Sequence, residues 1–179
     1  MSLLRSRLPL SMLVMLGLTA CASGVGHYVP DIRVDGDEIQ PFPDAGAIQF
    51  ENRSPGGLRN LDFREIEVDL NEVTQALINA MSVALGQQSD TARDGIAKTI
   101  TLNMKGIIIE PEGGGLTFAS TVFIDVAMGD GESFFVESKR SSYGSAFNVV
   151  SNPTKPLDAA VSDAAALILN DPRLRAYVE

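Results

Sequence analysis

The chain has 179 residues, room for one domain with a substantial core, and sets 23 acidic against 14 basic side chains for a net charge of −9. That balance repels phosphate backbones and argues against nucleic acid as a partner. With no tryptophan and one cysteine, stacking platforms for sugars or bases, disulfides and multi-cysteine metal sites are also argued against.

Arg5 and Arg7 open the chain, and an apolar run over 8–18 follows, broken by Pro9, Ser11 and Gly17. A bilayer span needs about 20 apolar residues, so this run is too short to cross. A basic start, a short apolar core and small residues before a cut site describe a secretory signal peptide over 1–20. It ends in Leu18-Thr19-Ala20-Cys21, which resembles the lipobox of bacterial lipoproteins. The resemblance implies lipid on the Cys21 thiol, cleavage before it and acylation of the new amino group. Ala22 rather than aspartate comes next, and by resemblance to lipoprotein sorting patterns this favours the outer membrane, with the domain on the periplasmic side. Cleavage would leave 159 residues with 12 basic and 23 acidic side chains, a net charge of −11. Such a surface gains nothing from anionic lipid, so the acyl chains must do the anchoring.

Residues 21–46 contain Pro30, Pro41, Pro43 and the acidic patch Asp35-Gly36-Asp37-Glu38 with no sustained apolar period. They read as a flexible tether with an extended piece around Ile32 to Val34. His27, the sole histidine, falls in this tether and reads as a solvated linker residue, without the partner or scaffold that a triad or zinc site needs. A single domain then occupies 47–179. Ile48 and Phe50 alternate in a first strand over 47–51, and Ser54-Pro55-Gly56-Gly57 marks a loop over 52–60. Residues 64–68 extend or pair with that strand.

Asp69 opens the clearest helix, over 69–86, with Glu72 placed to reach back as in a capping box. Leu70, Val73, Leu77, Met81 and Ala84 form its apolar stripe, and Gly86 supplies the stop. After a polar connection over 87–97, Lys98 begins an alternating strand with Ile100, Leu102 and Met104 on one face. A turn over 110–115 leads to a second strand, with Phe118, Val122, Ile124, Val126 and Met128 inward. Gly129-Asp130-Gly131-Glu132 turns the chain into a third, from Phe134 to about Ser145. These make an antiparallel meander with one buried face. A second helix over 156–169 carries Leu157, Val161, Ala164 and Ile168 on its stripe, and Pro172 to Tyr177 adds a short helical turn.

The pattern contains no set for catalysis. Gly113-Gly114-Gly115 and Gly129-Asp130-Gly131 lead from strand to strand and read as hairpin turns, whereas a phosphate cradle leads into a helix. Gly-x-Ser-x-Gly does not occur. Glu110, Glu112, Asp130 and Glu132 cluster near turns, where carboxylates could hold calcium or act as acid and base, but without a calcium-loop motif they read as solvated. No enzyme activity, cofactor or metal is expected. Lys139, Arg140 and Tyr143 stand out on the last meander strand of an acidic chain. They read either as cross-strand pairing and protection of an exposed edge, or as a partner-binding edge.

The stretch from Val68 to Val178 resembles the YajG-like family of small bacterial lipoproteins. The similar features are the capped helix from Asp69, the polar break, strands ending in Lys139-Arg140-Ser141-Ser142-Tyr143, and a helix running into Asp171-Pro172 and a short tail. The resemblance implies an envelope lipoprotein with an α+β fold and carries over no catalytic residue. The same layout is similar to auxiliary lipoproteins of envelope transport and lipopolysaccharide assembly. The expected fold is α+β, a mostly antiparallel sheet of four to five strands with two helices on one face. The expected role is a non-enzymatic interaction or assembly subunit with an envelope protein partner. The alternative is a small-ligand or lipid-binding module of an envelope transport system.

Overall fold

In a computed structural model, which describes residues 26–42, 46–61, 66–88, 97–112, 117–143 and 154–179, alternating apolar residues build the main sheet. Residues 1–20, expected as a signal peptide, Cys21, the expected turn at 113–115 and the side chain of Tyr143 lie outside the described residues. In chain order the strands are β1 (Gly26–His27), β2 (Ile48–Asn52), β3 (Leu58–Leu61), β4 (Ile66–Asp69), β5 (Lys98–Glu112), β6 (Thr117–Met128) and β7 (Ser133–Tyr143). The helices are α1 (Leu70–Gln88), α2 (Thr154–Leu169) and α3 (Pro172–Val178).

The antiparallel meander β5-β6-β7 gains β2, parallel to β5, for the order β2-β5-β6-β7. Its inner face includes Ile100, Leu102, Met104, Val122, Ile124 and Val126, all fully buried. Between Met104 and Gly106 the register slips, so that Lys105 is an extra residue in a β-bulge. Beyond the bulge Ile107 and Ile109 point inward and Ile108 points to solvent.

α1 and α2 contact each other and the sheet, and their stripes share one core with its inner face. The architecture is therefore α+β with both helices on one face, because two apolar stripes need one apolar sheet to cover. α1 runs two residues past Gly86. The β6-β7 turn closes on α3. Gly131 adopts a positive φ of 97°, and a side chain at Gly129 would come within 2.8 Å of the Tyr177 hydroxyl. Asp171 caps α3 by accepting the Arg173 N–H, and the Arg173 side chain holds its carboxyl below the usual carboxylate range.

Three segments differ from the sequence expectation. β4 does not pair with β2. It is the centre of a separate three-stranded sheet, parallel to β1 and antiparallel to β3, and β3 arises from the end of the expected loop. Glu72 does not close a capping box. Asp69 caps α1 by accepting the N–H groups of Asn71 and Glu72 and also takes the Gly57 N–H. With the Gly57 bond as the largest cause, its carboxyl is held below the usual range. The Glu72 carboxylate instead meets His27 Nε2 at 2.9 Å, so His27 has a partner.

The third difference is the tether. Residues 26–42 form a strap packed over the helices. Tyr28 and Ile39 are buried in the core, with Ile32, Val34 and Phe42 against it. An extended segment cannot satisfy its own backbone groups. Here β4 and side chains from the helices do so. The Tyr28 N–H bonds Glu67 O, the Asp31 N–H bonds the Asp158 carboxylate, and the Arg33 N–H bonds Ser162 Oγ. Farther along, the Gln40 N–H bonds Asn170, and Arg175 bonds the Gln40 and Pro41 carbonyls while lying over the Phe42 ring.

Ser54 continues the β2-β5 ladder with a side chain. Its Oγ accepts the Met104 N–H at 2.8 Å and lies 2.7 Å from Thr74 Oγ1, which donates to Leu70 O. The Ser54 hydroxyl therefore donates to Thr74, and every buried group in the relay is satisfied. Ser54→Ala should orphan the buried Met104 N–H and cost about 1–3 kcal/mol. Equilibrium urea unfolding checks this, and an unchanged midpoint would show that the relay is dispensable.

Candidate interaction surface

Adjacent residues of a strand point to opposite faces, and this separates the cations singled out on β7. Lys139 stands on the solvent face of the sheet, where its Nζ reaches Glu110 at 2.9 Å and Glu112 at 2.7 Å. Those carboxylates hold the ammonium in its charged form and shift its pKa upward. Arg140 points to the helix side and pairs with Asp163 of α2, which also accepts from Ser138 Oγ. The two cations thus do not form one patch, and each is matched by carboxylates of the same chain. The turn carboxylates are similarly engaged: Glu110 and Glu112 with Lys139, and Asp130 with the Glu132 N–H inside the turn. Among the described residues no group of three or more His, Cys, Asp or Glu side chains is placed to hold a metal.

The open sheet face carries apolar groups that the sequence reading missed. Phe123 and Phe135 stack with ring centroids 6.2 Å apart. Phe135 is 53% exposed, and Ile108, two residues along β5 from Gly106, which lies opposite Phe123, is 50% exposed. Lys105 and Asp125 pair at 2.8 Å beside them. The result is an apolar stripe rimmed by internally neutralised charges. A signal was present in Phe134-Phe135: two adjacent aromatics on a strand cannot both face the core. Among the described residues β7 has no strand on its outer side.

A second surface lies between strap and α1. A groove of about 450 Å³ is lined by Ile32 and Val34 on one side and Ala76, Ala80 and Val83 on the other. Two residues ahead of the first lining residue of the strap, Tyr28 donates its hydroxyl to the half-buried Asp158 carboxylate. Burial, then the bond to Asp158, pushes the phenol pKa well above its ordinary value. Burial, the largest cause, also raises the Asp158 carboxyl, while the Tyr28 and Asp31 bonds oppose it. Among the described residues no helix is long and apolar enough to cross a membrane.

No family model matches the sequence, and no curated protein matches it significantly. Solved structures do resemble the chain. A Xanthomonas campestris protein of family DUF330 matches with a TM-score of 0.52 and 12% identity, over 84% of this chain and 95% of that one. A Caulobacter crescentus protein matches at 0.45 and 12% identity, over 72% of this chain and 88% of that one. A minor lipoprotein of Acinetobacter baumannii matches at 0.40 and 14%, over 71% and 90%. Only the first reaches a TM-score at which a shared fold is argued. What it shares with this chain is the fold of the DUF330 protein.

Proposed function

We propose that the protein is a non-enzymatic lipoprotein of the bacterial envelope, held at the periplasmic face of the outer membrane by acyl chains on Cys21. There it acts as an interaction or assembly subunit for an envelope protein. The observation that carries the reading is the open meander face. One side of the sheet is sealed by helices, while the other shows Phe123, Phe135 and Ile108 to solvent. An exposed Phe135 stacked on the partly buried Phe123, inside a rim of paired charges, suits an apolar protein partner. Lys139 belongs to the rim of this face, whereas Arg140 belongs to the sheet–helix contact. Lipoprotein identity is supported by the Leu-Thr-Ala-Cys sequence and by the YajG-like pattern.

The test is crosslinking and co-purification from membranes with wild type, Phe135→Ser and Ile108→Ser. Exposed substitutions of this kind shift stability by about 0.5 kcal/mol or less, yet loss of an aromatic anchor should cut recovery of a partner about tenfold. Variants that fold and keep every partner would refute the open face as the docking surface. The strap groove favours a second reading, a small apolar ligand between Ile32, Val34, Ala80 and Val83. Binding of an apolar fluorophore that is lost in Ala80→Phe, with partners unchanged, would select it.

A further inference from the structure

The strap sets how far the domain can stand from its lipid. If Cys21 is acylated, as the proposed function holds, four residues (22–25) separate it from Gly26, where β1 pairs with β4. Whatever conformation those residues take, the five steps from Cys21 to Gly26 span at most about 18 Å. A tether running to residue 46 would allow several times that length. The attachment is therefore short, and it begins on a defined side of the molecule.

That side follows from the partners of the strap. On α2, Asp158 and Ser162, one turn apart, hold the strap, while Asp163 faces β7 and takes Arg140 and Ser138. On α1 the strap borders Ala76, Ala80 and Val83, whereas Val73, Leu77 and Met81 are fully buried in the core. The strap thus covers the helices on their side away from the sheet. The layers run strap, helices, sheet, and packed layers are spaced by about 10 Å. From the strap to the open sheet face is then roughly 20 Å through the domain and more around its edge. An attachment of at most about 18 Å cannot bring that face onto the membrane.

We infer that the short connection from Cys21 holds the strap side of the domain against the lipid headgroups and turns the open meander face away, toward the periplasm. Val29, 75% exposed and three residues beyond Gly26, marks the membrane side. Phe135 and Glu137 mark the aqueous side. The orientation gives Phe135 and the ring of Phe123 stacked on it free access to a protein partner. The acidic strap residues Asp35, Asp37 and Glu38 gain nothing from an anionic surface, so the covalent anchor and the length of the connection impose the arrangement.

The full chain, expressed in bacteria and extracted with detergent, is reconstituted in phosphatidylcholine vesicles carrying nitroxide-labelled headgroups, which removes lipid charge from the comparison. Because lipidation consumes the only native thiol, Val29→Cys and Glu137→Cys each take a single fluorescent label. Flotation with the vesicles is scored first. Protein that stays soluble lacks the anchor, which overturns the lipoprotein reading and this inference together. Protein that floats should show the label at 29 quenched severalfold more than the label at 137. Equal quenching, or stronger quenching at 137, overturns the orientation and leaves the lipoprotein reading standing. Inserting twelve Gly/Ser residues between Val25 and Gly26 extends the maximum span by roughly 40 Å and should abolish the difference. A difference that survives the insertion overturns the claim that the short connection sets the orientation.

Discussion

Replacing Tyr28 with alanine should lower stability by about 3–5 kcal/mol, the range for deleting a buried aromatic side chain, and open residues 26–42 to protease under native conditions. Tyr28 is 4% exposed and shares the core with both helices. Its ring is the largest apolar group that the strap places there, and the neighbouring bonds to Asp158 and Ser162 depend on the strap lying in place. A typical domain has about 5–15 kcal/mol in total, so the variant should remain folded in its sheet while losing its third layer. Urea unfolding and limited proteolysis measure the two effects. A cost below about 1 kcal/mol, outside the range for core aromatics, would mean that the strap is only laid on the surface.

Tyr28→Phe separates the hydroxyl from the ring, and its cost carries a pH signature. The phenol donates to the Asp158 carboxylate, and its removal should cost about 1–2 kcal/mol near neutrality, the lower part of the usual range because Asp158 is only half-buried. The bond favours the ionised carboxylate, so its loss raises the Asp158 pKa further. A carboxyl whose folded pKa is raised contributes most in acid and loses that contribution as pH rises through the folded value. The difference between wild type and Tyr28→Phe should therefore be full well above the raised Asp158 value and shrink as pH falls through it, in a window above the ordinary value of about 3.9. A difference that grows in acid would contradict the assigned direction of the bond.

The strap escapes a sequence reading for a physical reason. Helix stripes and strand alternation are legible because regular backbones repeat every 3.6 or 2 residues, and Leu70 to Ala84 or Ile100 to Met104 display those periods directly. Tyr28, Ile32, Val34, Ile39 and Phe42 keep no period, because an extended chain lying across helices takes its bonds from distant side chains such as Asp158 and Asn170. Its prolines and acids then look like those of a linker. His27 hides its partner similarly, since Glu72 comes to it only through the β1-β4 pairing.

The make-up of the open sheet face was partly legible in the sequence. A period of 2 requires that Lys139 and Arg140 diverge, so adjacency along a strand was never proximity in space. That Phe135 faces outward follows from Phe134 facing inward. The outward turn of Ile108 does not follow, because strict alternation from Ile100 would place Ile108 inside. Only the bulge at Lys105 and Gly106 reverses the parity, and Gly106 was the sole local hint.

Leu77→Ala should cost about 2–5 kcal/mol, whereas Val83→Ala on the same helix should stay within about 0.5 kcal/mol. Leu77 is fully buried on the stripe of α1, and Val83 is 60% exposed beside the strap groove. Where in the range the Leu77 variant falls depends on whether the vacated space can be refilled. The contacting helix α2 contributes Ala160, Ala164 and Ala165, whose side chains have no rotamers with which to move in. Met81, one turn farther along α1 and also fully buried, is the flexible neighbour able to swing into the hole. The cost should therefore rise in a Met81→Leu background, where the unbranched filler is gone, and the excess over additivity measures how much Met81 had recovered. Urea unfolding reads both, as a shift of midpoint at constant slope. Additive costs in the double variant would show that the cavity stays open and that α1 is held rigidly between sheet and strap.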